Sequence, residues 1–270
     1  MVLVLTAGAT GIIMEGSLVH DPLRFVLFLV GLFLTGGCAN SLNQYFERDI
    51  DSRMSRTAGR RPLPMKNITA SQALAFSVII GTLGVVLLWQ VFNLLTAFLA
   101  LSTILFYGLF YTLMLKPTTA QNIVIGGLAG AMAPVGAWTA ATGTMALTPW
   151  LIFLIIFFWT PPHFWALAIR FKDDYRRAGL PMMPLAKGDE ATLRRIFVYT
   201  IILFPVSLLP VLVDFGWIYL VTAVVMGGLF VHKTYTAIKY KDIPRVWGIF
   251  KFSIIYLFTI FAAMITERII

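Results

Sequence analysis

Charge is scarce in this 270-residue chain. Lys, Arg, Asp and Glu together make up 12% of it, about half of what a soluble domain carries, while apolar residues make up 59% and the mean hydropathy is +0.85. There is one cysteine, Cys38, inside an apolar run. That excludes an intramolecular disulfide and gives no basis for a thiolate metal centre. No Gly/Ser-rich or Pro-rich linker divides the chain, so residues 1–270 read as a single domain. The apolar runs lack the alternation of a transmembrane barrel strand, which excludes a β-barrel. A basic lead-in and a small-residue cleavage site are also missing at the N-terminus, so no cleavable signal peptide is expected.

What remains is long apolar runs, at 1–14, 23–46, 70–90, 93–115, 119–141, 148–170, 194–213, 216–236 and 248–267. Most are long enough to cross about 30 Å of hydrocarbon as helices. The fold class is therefore all-α, a polytopic membrane protein of nine transmembrane helices. The first run is short, and we read it as a truncated first helix. If sides alternate, every Lys and Arg except Arg24 and Arg268 falls on the side that holds the loop after the second run. By the positive-inside rule that side is cytoplasmic. The net charge of +9 is thus spread over short loops at a membrane face, which excludes nucleic acid as a partner. Two loops on that side are long and mixed in charge, 47–69 and 171–193. Their positions after the second and sixth spans suggest a four-helix internal repeat.

The first loop carries the clearest chemistry. Asn43, Glu47 and Asp51 stand at i, i+4 and i+8. On a helix these side chains share one face. Acidic groups gain nothing from the positive-inside rule, so three stacked oxygen donors point to a hard divalent cation. Arg53, Arg56, Arg60 and Arg61 follow at once and suit an anion shared with that cation, as in a diphosphate–magnesium complex.

A second constellation closes the sixth span. Pro161 and Pro162 interrupt the helix ladder and predict a kink. His163 follows, flanked by Trp159, Phe164 and Trp165, and a histidine inside a span is a functional candidate. Beyond it come Arg170, Lys172, Asp173, Asp174, Tyr175 and Arg176. Asp173 or Asp174 would add a metal ligand, the basic residues would hold phosphate oxygens, and Tyr175 would bond a phosphate or a water. Phe25, Tyr45, Phe46, Phe106, Tyr107, Phe110 and Tyr111 recur at helical spacing, as an aromatic lining that stabilises an allylic cation would. Gly126, Gly127 and Gly130, with Gly227 and Gly228, read as points of close helix contact.

The Asn43-x-x-x-Glu47-x-x-x-Asp51 pattern, followed by Arg56-Thr57 and a basic-Pro step, resembles the first Asp-rich motif of the UbiA-type intramembrane prenyltransferases. Those are nine-helix proteins with a cavity on the cytoplasmic side, so the resemblance covers essentially the whole chain. Within the family, Trp159-Thr-Pro-Pro-His-Phe-Trp165 and Lys172-Asp-Asp-Tyr-Arg-Arg-Ala-Gly-Leu-Pro-Met-Met-Pro184 resemble the branch that farnesylates haem B. The resemblance implies Mg²⁺ as cofactor, farnesyl diphosphate as donor and haem B as acceptor at its 2-vinyl group. It implies Asn43, Glu47, Asp51, Lys172, Asp174 and Tyr175 in catalysis. Metal ligation falls to Asn43, Glu47, Asp51, Asp173 and Asp174. Substrate binding falls to Arg53, Arg56, Arg60, Arg61, His163, Arg170 and Arg176, with His163 on the haem or its propionate. It further implies a bacterial inner membrane location, with haem A synthase or an oxidase assembly as docking partners. The chain departs from the family pattern at the second acidic motif, whose positions fall on Phe171 and Tyr175. Two alternatives are a prenyltransferase of quinone precursors and a membrane transporter. The transporter would keep its ionisable groups near the bilayer midplane, whereas here they collect at one rim.

Overall fold

The computed structural model describes residues 1–213 and 215–270. Among these residues only helices and their connections occur. Eight helices are long and apolar enough to span a bilayer: α2 (Pro22–Phe46), α3 (Ala70–Val91), α4 (Leu94–Thr118), α5 (Asn122–Thr142), α6 (Leu147–Arg170), α7 (Asp189–Leu212), α8 (Trp217–Tyr240) and α9 (Ile243–Ile269). They follow α1 (Val2–Glu15), which is apolar but only 14 residues long. At about 1.5 Å per residue α1 extends about 21 Å, short of the hydrocarbon thickness.

Local sequence chemistry sets the helix ends. Asp21 caps α2, accepting from Arg24 N at 3.0 Å, and Pro22 takes the first helical position, where its missing N–H costs nothing. Thr69 and Gln72 form a reciprocal capping box on α3. Asn93 caps α4 and also donates to Thr139 O at 2.7 Å, tying the far end of α4 to α5.

The helices bury small and apolar faces against one another and turn large apolar side chains such as Phe33, Phe76, Leu94 and Val225 outward. In water that surface would be a liability; in lipid it is the solvent-facing side. α6 is the central helix. It packs on α5, α7 and α9 and has the most buried window of all the spans. The helix runs on through Pro161 and Pro162 rather than stopping there. The two prolines leave the carbonyls of Phe157 and Phe158 without their usual helical donors; Thr160 Oγ1 donates to Ile156 O at 2.8 Å, a carbonyl the prolines do not orphan.

α4 changes character midway, where Phe106–Leu115 winds as a π-helix. Wider turns of this kind re-aim side chains and concentrate at functional sites. Here the π segment brings Tyr107, Tyr111 and Thr112 to the interior.

Candidate active site

Asn43, Glu47 and Asp51 stand on one face as expected. Glu47 N donates to Asn43 O at 2.9 Å and Asp51 N to Glu47 O at 2.7 Å, so the helical ladder continues past the end of α2 into Arg48–Asp51. All three side chains are buried, at 4%, 3% and 2% exposure. A pair of buried carboxylates is costly unless cations meet it. Arg61 pairs with Asp51 and lies 3.9 Å from Glu47. Lys116, at the end of α4, lies 2.6 Å from the Glu47 carboxylate. Two acids thus face two bases.

The Asn43 amide nitrogen donates one N–H to Thr112 Oγ1 at 3.2 Å, which orients the amide and leaves its carbonyl oxygen as an acceptor. Thr112 is fixed in turn by donating to Tyr107 O at 2.7 Å, a bond the π geometry permits. Both Glu47 oxygens are within reach of the Lys116 ammonium, although only Oε2 accepts from it with good hydrogen-bond geometry. A buried carboxylate whose main partner is one lysine, beside a second carboxylate and an amide oxygen, is a donor set that fits a hard divalent cation. No cluster of three or more His, Cys, Asp or Glu side chains exists among the described residues, so the acidic part of the set is Glu47 and Asp51 alone.

The second loop arrives differently from expectation. Asp173 is exposed and pairs with its neighbour Arg176, which keeps it away from Glu47 and Asp51. Asp174 is buried, but its oxygens accept from Ser55 Oγ at 2.7 Å, from Ser55 N at 3.3 Å and from Arg56 N at 3.2 Å. Arg177 also pairs with it. Asp174 therefore caps the short helix Ser55–Ala58 from the other loop, a binding role toward the protein itself. Beside it, Arg56 donates to Tyr175 Oη at 3.1 Å and lies over the rings of Phe171 and Tyr175, each at 5.5 Å. Lys172 is held by Asp189 at 2.8 Å. Arg53, Arg60 and Arg170 are exposed. The two loops are thus latched to one another over the acidic ladder.

This latch has a pH signature. Burial pushes the Asp174 carboxyl up, but the Ser55 and Arg56 donors and Arg177 outweigh it and hold its pKa below the ordinary carboxylate value. Its contribution is then fully present above the unfolded-state pKa and is lost as pH falls through the folded-state value. Asp174→Ala leaves Ser55 N and Arg56 N without their cap, at a cost of about 1–2 kcal/mol. We expect faster proteolysis of the 53–61 stretch in this variant, measured in lipid against wild type. Equal cleavage rates would refute the latch.

His163 also lies elsewhere than expected. Its ring is buried between Trp159, at 4.3 Å, and Phe250, at 4.6 Å, and its Nδ1 meets Ser253 Oγ at 2.7 Å. The Ser253 hydroxyl donates to Phe250 O at 2.7 Å, so Nδ1 carries the proton in this contact. Trp159 Nε1 donates to Ser253 O at 2.6 Å. This histidine joins α6 to α9. The neighbouring Trp159, Thr160 and Phe164, not His163, reach the interior space.

That space is a partly open apolar pocket of about 370 Å³ lined by α1, α2, α4, α5 and α6, with Leu88 of α3, within the size range of ligand sites. Tyr107 and Tyr111, stacked at 5.0 Å, line the end nearest the acidic ladder. Phe110 faces outward, and Phe25, Tyr45, Phe46 and Phe106 are off the wall. The aromatic lining is therefore these two tyrosines with Phe28, Trp159 and Phe164. Gly126 explains how Tyr111 fits: a Cβ there would stand 2.4 Å from the ring. Gly127 likewise admits Thr160 of α6 and Gly227 admits Phe204, whereas Gly130 and Gly228 face open space rather than a helix.

Sequence reasoning missed Lys116, Thr112 and Asn122. Asn122 is fully buried and donates to Thr119 O at 2.7 Å and toward Lys116 O at 3.4 Å, fixing the turn that carries the lysine. The available signal was a lone basic residue at the end of an apolar run.

A buried acid–base head over an apolar chamber inside a lipid-facing bundle defines an integral membrane protein with an interior pocket that is charged at one end and apolar along its length. The chain belongs to the UbiA prenyltransferase family, whose pattern it matches over residues 2–261. It is 45% identical over 266 residues to the protoheme IX farnesyltransferase of Gloeobacter violaceus, covering 98% of this chain and 86% of that one. It is 44% identical over 243 residues to the protoheme IX farnesyltransferase of Chloroflexus aurantiacus, covering 90% of this chain. It spans only 41% of the length of that relative and 45% of the one from Roseiflexus. The fold is shared with digeranylgeranylglyceryl phosphate synthase, at TM-score 0.82 and 20% identity, with 98% and 93% of the two chains covered. It is shared too with a UbiA homologue from Archaeoglobus fulgidus bound to GPP and Mg²⁺, at TM-score 0.66 and 16% identity, with 97% and 95% covered.

Proposed function

We propose that this protein transfers the farnesyl group of farnesyl diphosphate to the 2-vinyl group of haem B, with addition of water, to give haem O. The observation that carries the reading is the buried Asn43–Glu47–Asp51 ladder, with Lys116 and Arg61 against it, at the head of an apolar chamber. The relatives named above supply the acceptor.

In this reading the diphosphate lies at the ladder and the farnesyl tail in the chamber. Mg²⁺, held by Asn43, Glu47 and Asp51, would supply charge neutralisation for the leaving diphosphate. Lys116 and Arg61 leave the carboxylates for phosphate oxygens, and their positive charge offsets the charge that develops as the allylic C–O bond breaks. The electron pair departs with the diphosphate. Tyr107 and Tyr111 present ring faces to the allylic cation, and the apolar wall keeps bulk water from it. The vinyl group forms the new C–C bond, and water then adds to the resulting cation with loss of a proton. Arg56 and the exposed Arg53 and Arg60 receive the donor at the rim. We place the rim in the cytoplasm by the distribution of Lys and Arg, and read 1–270 as one domain.

The test is direct. Purified protein in lipid is incubated with haem B, farnesyl diphosphate and Mg²⁺, and the extracted haems are separated by mass. We expect a product heavier than haem B by a farnesyl group and a hydroxyl. Unchanged haem, with prenylation of 4-hydroxybenzoate in its place, would assign the chain to an aromatic acceptor.

A further inference from the structure

The chamber has a head and a floor. Tyr111, against Gly126, marks the head. On α5, Gly136 stands ten residues further on, past a break in the helix at Met132. The far end is closed by Phe28, Leu88 and Thr96, all nearly fully buried. Thr96 Oγ1 bonds Thr139 Oγ1 at 3.1 Å, and Phe28 packs edge-on against Phe92 at 6.0 Å. The floor is thus fixed by packing and hydrogen bonds.

Two glycines on the wall between head and floor have no local reason to be glycine. Gly130 and Gly136 do not have positive φ, and a Cβ built on either meets nothing within 4 Å. Glycine inside a helix is disfavoured relative to alanine. In membrane bundles it normally serves close helix approach, as Gly126 and Gly127 do here for Tyr111 and Thr160. Gly130 and Gly136 serve no such approach. What their missing side chains leave is volume in the chamber.

We propose that Gly130 and Gly136 are specificity-determining residues that set the length of isoprenoid tail the chamber accepts, Gly130 at mid-depth and Gly136 next to the Phe28–Leu88–Thr96 floor. This inference rests on the prenyl diphosphate reading of the head. A side chain at Gly130 fills the space of the distal part of a long tail and leaves the part next to the head untouched. One at Gly136 trims only the end.

The experiment compares geranyl, farnesyl and geranylgeranyl diphosphates as donors, in lipid with Mg²⁺, for wild type, Gly130→Leu, Gly136→Leu and Phe28→Ala. In Gly130→Leu the farnesyl-to-geranyl ratio of kcat/KM should fall about 100-fold, the effect of denying burial to one isoprene unit. Gly136→Leu should lower that ratio less. Phe28→Ala should raise the geranylgeranyl-to-farnesyl ratio. Ratios are insensitive to a loss of folded protein. If Gly130→Leu yields no folded protein, Phe28→Ala decides. A ratio within threefold of wild type in whichever variant decides would overturn the proposal. Donor binding is also measured with no acceptor present. Wild type that binds donors according to tail length but leaves haem B unchanged would sink the acceptor and keep the tail gauge. Wild type that binds no prenyl diphosphate would sink the reading beneath both.

Discussion

Asp51→Asn should lower product formation by about 10³-fold or more, with little loss of fold. The substitution keeps shape and leaves one oxygen to accept from Arg61, which pairs with Asp51 in the present structure. It removes one of the two charges that the ladder offers to a divalent cation. Asn43 is neutral, and Asp173 and Asp174 are engaged with Arg176 and with Ser55 and Arg56, so among the described residues no third acid is at hand to compensate. Charge stabilisation at a developing anion is commonly the largest single contribution to such a rate, and one lost donor alone removes about 10²–10³-fold. The measurement is turnover across an Mg²⁺ titration. Full turnover by Asp51→Asn at limiting Mg²⁺ would refute a metal role for this face.

Lys116→Met carries the second large effect, about 10²–10³-fold in kcat/KM for the donor. In the structure the Lys116 ammonium neutralises Glu47 from 2.6 Å. In the proposed reaction a bound cation would be held by the carboxylates, and the Lys116 ammonium would then be free for a phosphate oxygen of the donor. Lys116→Arg should recover part of the loss, because the charge returns while the point-like geometry does not. The Met variant also leaves Glu47 buried with only Arg61 nearby, at 3.9 Å, so a drop in thermal stability is expected beside the kinetic one. Donor KM and kcat should both suffer in Met and rise together in Arg. A Met variant within threefold of wild type would mean that Lys116 only balances the ladder.

How far the site was legible in the sequence depends on which kind of spacing encoded it. The Asn43–Glu47–Asp51 face was readable because i, i+4 and i+8 are neighbours on any helix, and the structure continues the helix through all three. Lys116 was not readable as a site residue, because it reaches Glu47 across 69 positions and through the π turns of α4. Asp174 was readable as a charged loop residue but not as a helix cap, since its partners Ser55 and Arg56 lie on the other loop. His163 looked free for a ligand because the sequence could not show Ser253 and Phe250 on α9 closing around it.

The sequence by itself determined the class of protein. Runs of apolar residues with scarce charge have only one low-energy solution in a bilayer, helices whose backbone groups are satisfied within each segment. Local periodicity then placed two acids and an amide on one helical face. Tertiary structure alone decided which charges meet, because an ion pair between helices depends on packing distances that no local pattern carries. It also decided where an interior remains unfilled. The space beside Gly130 and Gly136 exists because neighbouring helices stand off from that stretch of α5, and whether a glycine faces a helix or a void is settled only when the bundle has closed.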